Sequence, residues 1–146
     1  MHEDQTTLRA TLLEHHRDLD ALFARALEAA EAGMDPRHFG QLWAHCDRRL
    51  RQHLDAEETL LVPRLQEGHP AEVRALLAEH DRLRAWLDEV DVAVELHQAR
   101  AATIGSLVEA LRAHAHDEEG GLYRWADEEL APHEGLLSDL RARLAG

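Results

Sequence analysis

One twelve-residue pattern occurs twice in this chain of 146 residues, and it leaves few folds open. Leu50-Arg51-Gln52-His53-Leu54-Asp55-Ala56-Glu57-Glu58-Thr59-Leu60-Leu61 returns as Leu111-Arg112-Ala113-His114-Ala115-His116-Asp117-Glu118-Glu119-Gly120-Gly121-Leu122. Both read Leu-Arg-x-His-x-x-x-Glu-Glu-x-x-Leu. On a helix, residues four apart share a face and stand about 6 Å apart along the axis. His53 and Glu57 therefore point the same way, and so do His114 and Glu118. An imidazole beside a carboxylate is half of a metal site.

A second echo accompanies the first. Leu12-Leu13-Glu14-His15-His16-Arg17-Asp18-Leu19 aligns with Leu76-Leu77-Ala78-Glu79-His80-Asp81-Arg82-Leu83. The apolar residues around His16 and His80 fall at the same offsets, a register that selects His16 over His15. The chain is thus a two-fold repeat: a helix with one histidine, then a helix with His-x-x-x-Glu.

The rest of the chain reads as helix and turn. Leu8, Leu12, His16, Leu19 and Ala26 give an amphipathic helix over about residues 4–32. Asp35 caps a second helix that opens with Pro36, and Pro63 kinks or ends it. Glu67-Gly68-His69-Pro70 turns into a third helix, which turns again near His97–Ala102. Gly120-Gly121 loosens the fourth helix just past its motif. Residues 133–145 form a short fifth helix after Ala131-Pro132. Short turns between four long helices predict a single all-α domain over residues 1–146, an up-down-up-down antiparallel four-helix bundle with a short C-terminal helix.

Composition excludes several function classes. The 16 basic and 29 acidic residues give a formal charge of −13, which opposes nucleic-acid binding. The single cysteine, Cys46, permits no internal disulfide. No apolar run approaches a membrane span, and no leader segment is evident. A cytoplasmic protein is the expectation.

Most of the 12 histidines read as exposed or core-edge residues, among them His2, His15, His38, His45, His69, His97, His116 and His133. His16, His53, His80 and His114 stand instead inside apolar stripes, with Glu57 and Glu118. A metal-free core holding four imidazoles and two carboxylates faces several desolvation penalties at once. A metal turns that cost into binding energy. The ferritin-like Glu-x-x-His pair and the protease motif His-Glu-x-x-His are both absent from the chain.

The pattern resembles the hemerythrin-like domains, also called HHE cation-binding domains, over about residues 8–130. The resemblance rests on His16, on His53-Leu-Asp-Ala-Glu57-Glu-Thr-Leu-Leu61-Val-Pro63, on Ala78-Glu79-His80, and on His114-Ala-His-Asp-Glu118-Glu-Gly-Gly-Leu122-Tyr123. It implies two iron ions in a four-helix bundle, with His16, His53, His80 and His114 as terminal ligands. Glu57 and Glu118 would bridge the irons, helped by an oxo, hydroxo or water ligand. Zinc or another divalent metal in a single structural site is the alternative. The implied partner is dioxygen, nitric oxide or peroxide, in sensing, storage or stress response. A diiron oxidase, peroxidase or nitric-oxide-consuming enzyme, and iron storage or sensing without catalysis, stay open beside it.

The chain departs from the oxygen carriers of that family in two places. They use a second histidine one turn away on the third helix, where this chain has Leu76 and Arg84, and an aspartate where it has Glu118. Tyr123, five residues past Glu118, reads as an amphipathic cap to the core, with an extra oxygen donor as the alternative. Leu61, Leu83, Trp86, Ile104 and Leu122 are the candidates for an apolar wall at the metals, Leu61 and Leu122 foremost.

Overall fold

The computed structural model of the chain describes residues 7–133 and 135–145, and every regular element among these is helical. Four long helices form the body: α1 (Leu8–Glu31), α2 (Pro36–Ala56), α4 (Pro70–Glu95) and α5 (Ala101–Gly120). Helix α1 packs against α2 and α5, and α4 packs against the same two, so the four close a ring. No helix is long and apolar enough to cross a membrane.

Local chemistry sets the ends of these helices. The Thr7 hydroxyl accepts from the Ala10 amide at 3.0 Å and caps α1; the predicted start at residues 4–6 lies outside the described residues, as does His2. Gly33, with φ of 72°, lets the chain turn after α1. Asp35 then accepts from the His38 amide at 3.2 Å, and Pro36 fills the first turn of α2. The turn between α4 and α5 falls where the sequence placed it and carries His97 at a φ of 57°.

Pro63 does not end the second helix. A π-helical turn at Glu57–Leu61 leads into the short helix α3 (Val62–Leu65), with the Val62 amide donating to the Glu57 carbonyl. The wider turn accommodates a residue that has no amide hydrogen to give. The loosening expected at Gly120-Gly121 is a full break. Gly121 leaves the helical region at φ −123° and ψ −86°, and the chain re-forms as α6 (Leu122–Trp125) and a π-helical turn at Ala126–Leu130.

Helix α7 (Leu136–Ala145) starts later than the expected residue 133, and residue 134 lies outside the described residues. It packs on α1 and α2. Its last carbonyls find donors there: Arg49 reaches the Leu144 oxygen at 2.9 Å and Gln52 the Arg143 oxygen at 2.7 Å.

Two apolar clusters fill the ring, one above the other. One holds Phe23, Trp43, Leu54, Leu87, Ile104 and Leu107. The other holds Leu12, Leu61, Leu65, Val73, Leu130 and Leu140. Each long helix passes from one cluster to the other close to one of the four stripe histidines. His16 follows Leu12 of one cluster and precedes Leu19 of the other, and His80 lies between Val73 and Leu83 in the same way. The histidines thus form a polar layer between two dry ones.

Docking of α7 extends the second dry layer. Leu140 is fully buried there, so Leu140→Ala is expected to cost about 2–5 kcal/mol. Urea unfolding of the variant measures this, and a loss below about 1 kcal/mol would show that α7 contributes little to the core.

Candidate metal centre

The six side chains singled out by the repeat meet in the polar layer. Glu57 and His80 are 0% exposed, His53 1%, Glu118 2%, His114 7% and His16 8%. They form two groups with metal-ligand spacing, His16, His53, Glu57 and Glu118, and His80, His114, Glu57 and Glu118. Within each group the ligand atoms lie within 4.8 Å of one another.

The two glutamates belong to both groups because each divides its oxygens between them. Glu57 turns Oε2 to His53 at 2.8 Å and Oε1 to His80 at 3.1 Å. Glu118 turns Oε1 to His16 at 3.0 Å and Oε2 to His114 at 2.9 Å and His80 at 3.3 Å.

Two of these contacts are poor hydrogen bonds for their length. Glu57 Oε1 and His114 Nε2 have no solvent exposure and no hydrogen-bond partner, although His80 Nε2 lies 3.1 Å from the first and Glu118 Oε2 2.9 Å from the second. A buried polar atom without a partner is costly. Atoms that stand close without aligning on one another converge on a point between them, as ligands do. The donor set of imidazole nitrogen and carboxylate oxygen fits iron or another first-row metal. The one thiol is no competitor, since Cys46 is buried in the apolar cluster of Phe23 and Trp43 and burial pushes it up to about 12.

Each of the four histidines turns its other ring nitrogen, Nδ1, to a residue on a neighbouring helix. His16 on α1 donates to Glu119 on α5 at 3.0 Å, and His80 on α4 donates to Glu58 on the turn after α2 at 2.6 Å. His114 on α5 donates to Glu79 on α4. His53 on α2 faces His15 Nδ1 on α1 at 2.9 Å. Four bonds therefore run once around the ring of helices. A carboxylate partner of this kind fixes the tautomer and orientation of a metal-binding imidazole, which holds for His16, His80 and His114, whereas His53 meets another imidazole there.

His15 corrects the sequence reading. It is buried, not at the surface or the core edge, and its ring stacks on His53 with centroids 5.0 Å apart. Arg49 donates to His15 Nε2 at 3.0 Å, so His15 accepts there and turns the proton on Nδ1 toward His53. Burial, His53 and Arg49 lower its pKa to about 3, which keeps it neutral. The repeat held the signal, because His15 aligns with Glu79, and each contacts the buried histidine of the next long helix. Among the other histidines read as exposed, His38, His45, His97, His116 and His133 are so, while His69 is half-buried and stacks on Trp125.

Tyr123 is also placed differently from its predicted role as a cap. It is fully buried at the centre, its hydroxyl within hydrogen-bond distance of His16, His53, Glu57 and Glu118. The break at Gly121 brings it there.

A cavity of about 420 Å³ opens between α1 and α5 and reaches His16, His53 and His114. Leu19, Phe23, Leu50, Leu54, Val108 and Leu111 wall it. Exposed Arg17, Asp20, Arg112 and His116 surround its mouth, with Arg112 donating to Asp20 at 2.7 Å. None of the five predicted wall residues lines it. Leu61, Leu83 and Ile104 are packed core, and Leu122 lines a separate cavity of about 240 Å³ beside Glu118.

Burial alone lowers a histidine pKa, yet three of these rise. Burial opposes the charge on His80, but Glu118 and Glu57 carry it up to about 10. Against the same burial, Glu118 and Glu79 carry His114 up to about 9, and Glu118 and Glu119 raise His16. Burial works against the charge of Glu118 too, but the groups facing it, Glu57 first and then His114, His16 and His80, hold its carboxyl well below the usual range. Burial and the charges of Glu118 and Glu57 push the Tyr123 phenol well up. At neutral pH the metal-free core thus keeps imidazolium beside carboxylate.

That pairing has a pH signature. A histidine with a raised folded pKa contributes stability that is complete below its unfolded value near 6.5 and is lost as pH rises through the folded value. For His114 and His80 the loss runs up to about 9 and about 10. The chain contains no lysine to titrate in that interval. The melting temperature of the metal-free protein should therefore fall between pH 7 and pH 10.5, and metal loading at pH 7 should release protons. A flat melting temperature across that range would exclude charged histidines from the core.

A family model, the hemerythrin HHE cation binding domain, matches residues 7–126. Comparison with curated proteins returned no match, and neither did comparison with solved structures. The matched residues run from the cap of α1 to the first residue past α6, and so include all six clustered residues and Tyr123. By sequence and by the side chains it gathers, the chain belongs to the hemerythrin HHE cation-binding domain family.

Proposed function

We propose that the chain binds two iron ions side by side and presents them to a small oxygen- or nitrogen-containing ligand: dioxygen, nitric oxide or peroxide. The division of each glutamate between two histidine pairs carries this reading. A carboxylate that offers one oxygen to each of two groups is suited to bridging, and two such carboxylates hold two ions at a fixed separation. His16 and His53 serve one ion, His80 and His114 the other, within helices that run up-down-up-down.

Iron supplies Lewis-acid and one-electron chemistry suited to these ligands. The chain supplies the surroundings. Glu119, Glu58 and Glu79 orient three of the imidazoles, and the His15 ring stacks on the fourth. Leu19, Phe23, Leu54 and Val108 keep the approach apolar, which limits the water that reaches the site. A cavity that ends on three ligand histidines favours exchange with an outside molecule over iron storage, for which a closed site suffices.

Metal analysis of protein loaded under anaerobic conditions is expected to give two irons per chain. Glu57→Ala should keep one or none, because the lost group serves both ions. Two irons with an unchanged spectrum in that variant would refute the bridging role. Val108→Trp should keep the irons and slow reaction of the ferrous protein with dioxygen in stopped flow, whereas Leu61→Ala should leave that rate unchanged. The reverse ranking would mean that the ligand arrives by another route.

A further inference from the structure

We propose that Tyr123 is itself a metal ligand, its phenolate oxygen giving the His16–His53 group a fifth protein donor. This rests on the two-metal reading above and deepens it, because it makes the two halves of the centre unequal.

The geometry around the phenol carries the inference. Tyr123 Oη lies 2.6 Å from His16 Nε2, 3.0 Å from His53 Nε2, 2.5 Å from Glu57 Oε2 and 3.2 Å from Glu118 Oε1. It therefore touches one atom of every residue in that group. Each glutamate meets it with the oxygen that faces the same group. A buried tyrosine hydroxyl donates one hydrogen bond and accepts at most two, so three partners satisfy it in full. Four partners, all of them candidate ligands, are more than a hydrogen bond requires.

The spacing is that of a coordination shell. Nitrogen and oxygen donors bind a first-row metal at about 2.1 Å, so donors at right angles stand about 3.0 Å apart. His16 Nε2 and His53 Nε2 are 3.2 Å apart, His53 Nε2 and Glu57 Oε2 2.8 Å, and His16 Nε2 and Glu118 Oε1 3.0 Å. These three contacts match three successive edges of a square in the order Glu118, His16, His53, Glu57. The diagonal of such a square is about 4.2 Å for the same bond length, and the four ligand atoms all lie within 4.8 Å. The phenol oxygen neighbours all four corners at once, which is the place of an apex.

On coordination, the phenolic O–H bond breaks and an oxygen–metal bond forms. The proton leaves to water and no electron moves. Neither His80 nor His114 is among the hydrogen-bond partners of the phenol, and the ion they would hold is left with four protein donors. Vacant positions then concentrate on that ion.

The chain has one tyrosine, so the test is unambiguous. Ferric wild-type protein should show a tyrosinate-to-iron charge-transfer band, with enhanced phenolate ring modes in resonance Raman. Tyr123→Phe should retain iron, lose both signals and release one proton fewer per chain on loading. Should that variant not fold, 3-fluorotyrosine in the wild-type chain takes its place and should shift the same band. Two irons per chain without phenolate modes would overturn the ligand role and leave the iron pair standing. One iron per chain with those modes would uphold the ligand role and sink the pair.

Discussion

Everything in this fold answers to two carboxylates held without water. Glu57 and Glu118 lie in the middle of a helical bundle, where an uncompensated negative charge would cost several kcal/mol. Their compensation comes from four imidazoles, one on each long helix. The apolar clusters above and below set the depth of the layer, and the layer sets how the helices register on one another. With protons on His80 and His114 the core is neutralised from within, and a cation can take the place of those protons.

The ring of outer contacts explains why the repeat carries two adjacent glutamates. Glu57 and Glu118 face inward, while Glu58 and Glu119 reach sideways to a histidine on the next helix. The residue before each single-helix histidine does the same, Glu79 in the second half and His15 in the first. Each long helix thus carries one of the four histidines, and its own length or the turn after it contacts another. Among these outer partners only His15 departs from the two-fold pattern, and it draws in Arg49, which also holds the end of α7. The C-terminal helix is in this way connected to the centre through two hydrogen-bonded side chains.

Much of this was legible in the sequence, because helical periodicity and the doubled motif are local signals. The six clustered residues, the cap at Asp35, the turn near His97 and the disturbance at Gly121 all follow from spacing and residue type. What escaped depends on contacts between helices. The solvent face of α1 cannot be told from its α2-facing edge by period alone, so His15 looked exposed. The approach to the site was sought one turn along from the glutamates, at Leu61 and Leu122, whereas the cavity lies between α1 and α5 and is walled by residues near the histidines. Tyr123 stands five positions after Glu118, which on an unbroken helix puts it about 140° around the axis. Only the break at Gly121 brings it back.

That break changes how the motif should be read in other chains. A tyrosine five residues after the glutamate says little by itself, since on a continuous helix it faces elsewhere. The glycine pair between them is the informative part. It resets the helical phase, so the residues after it no longer follow the angular order of those before. A chain that kept the tyrosine and replaced the glycines with good helix formers would keep the letters and lose the arrangement. A chain that shifted the tyrosine by one position with a different break could preserve the arrangement under different letters. Phase, rather than identity at a column, is what an alignment of such centres has to match.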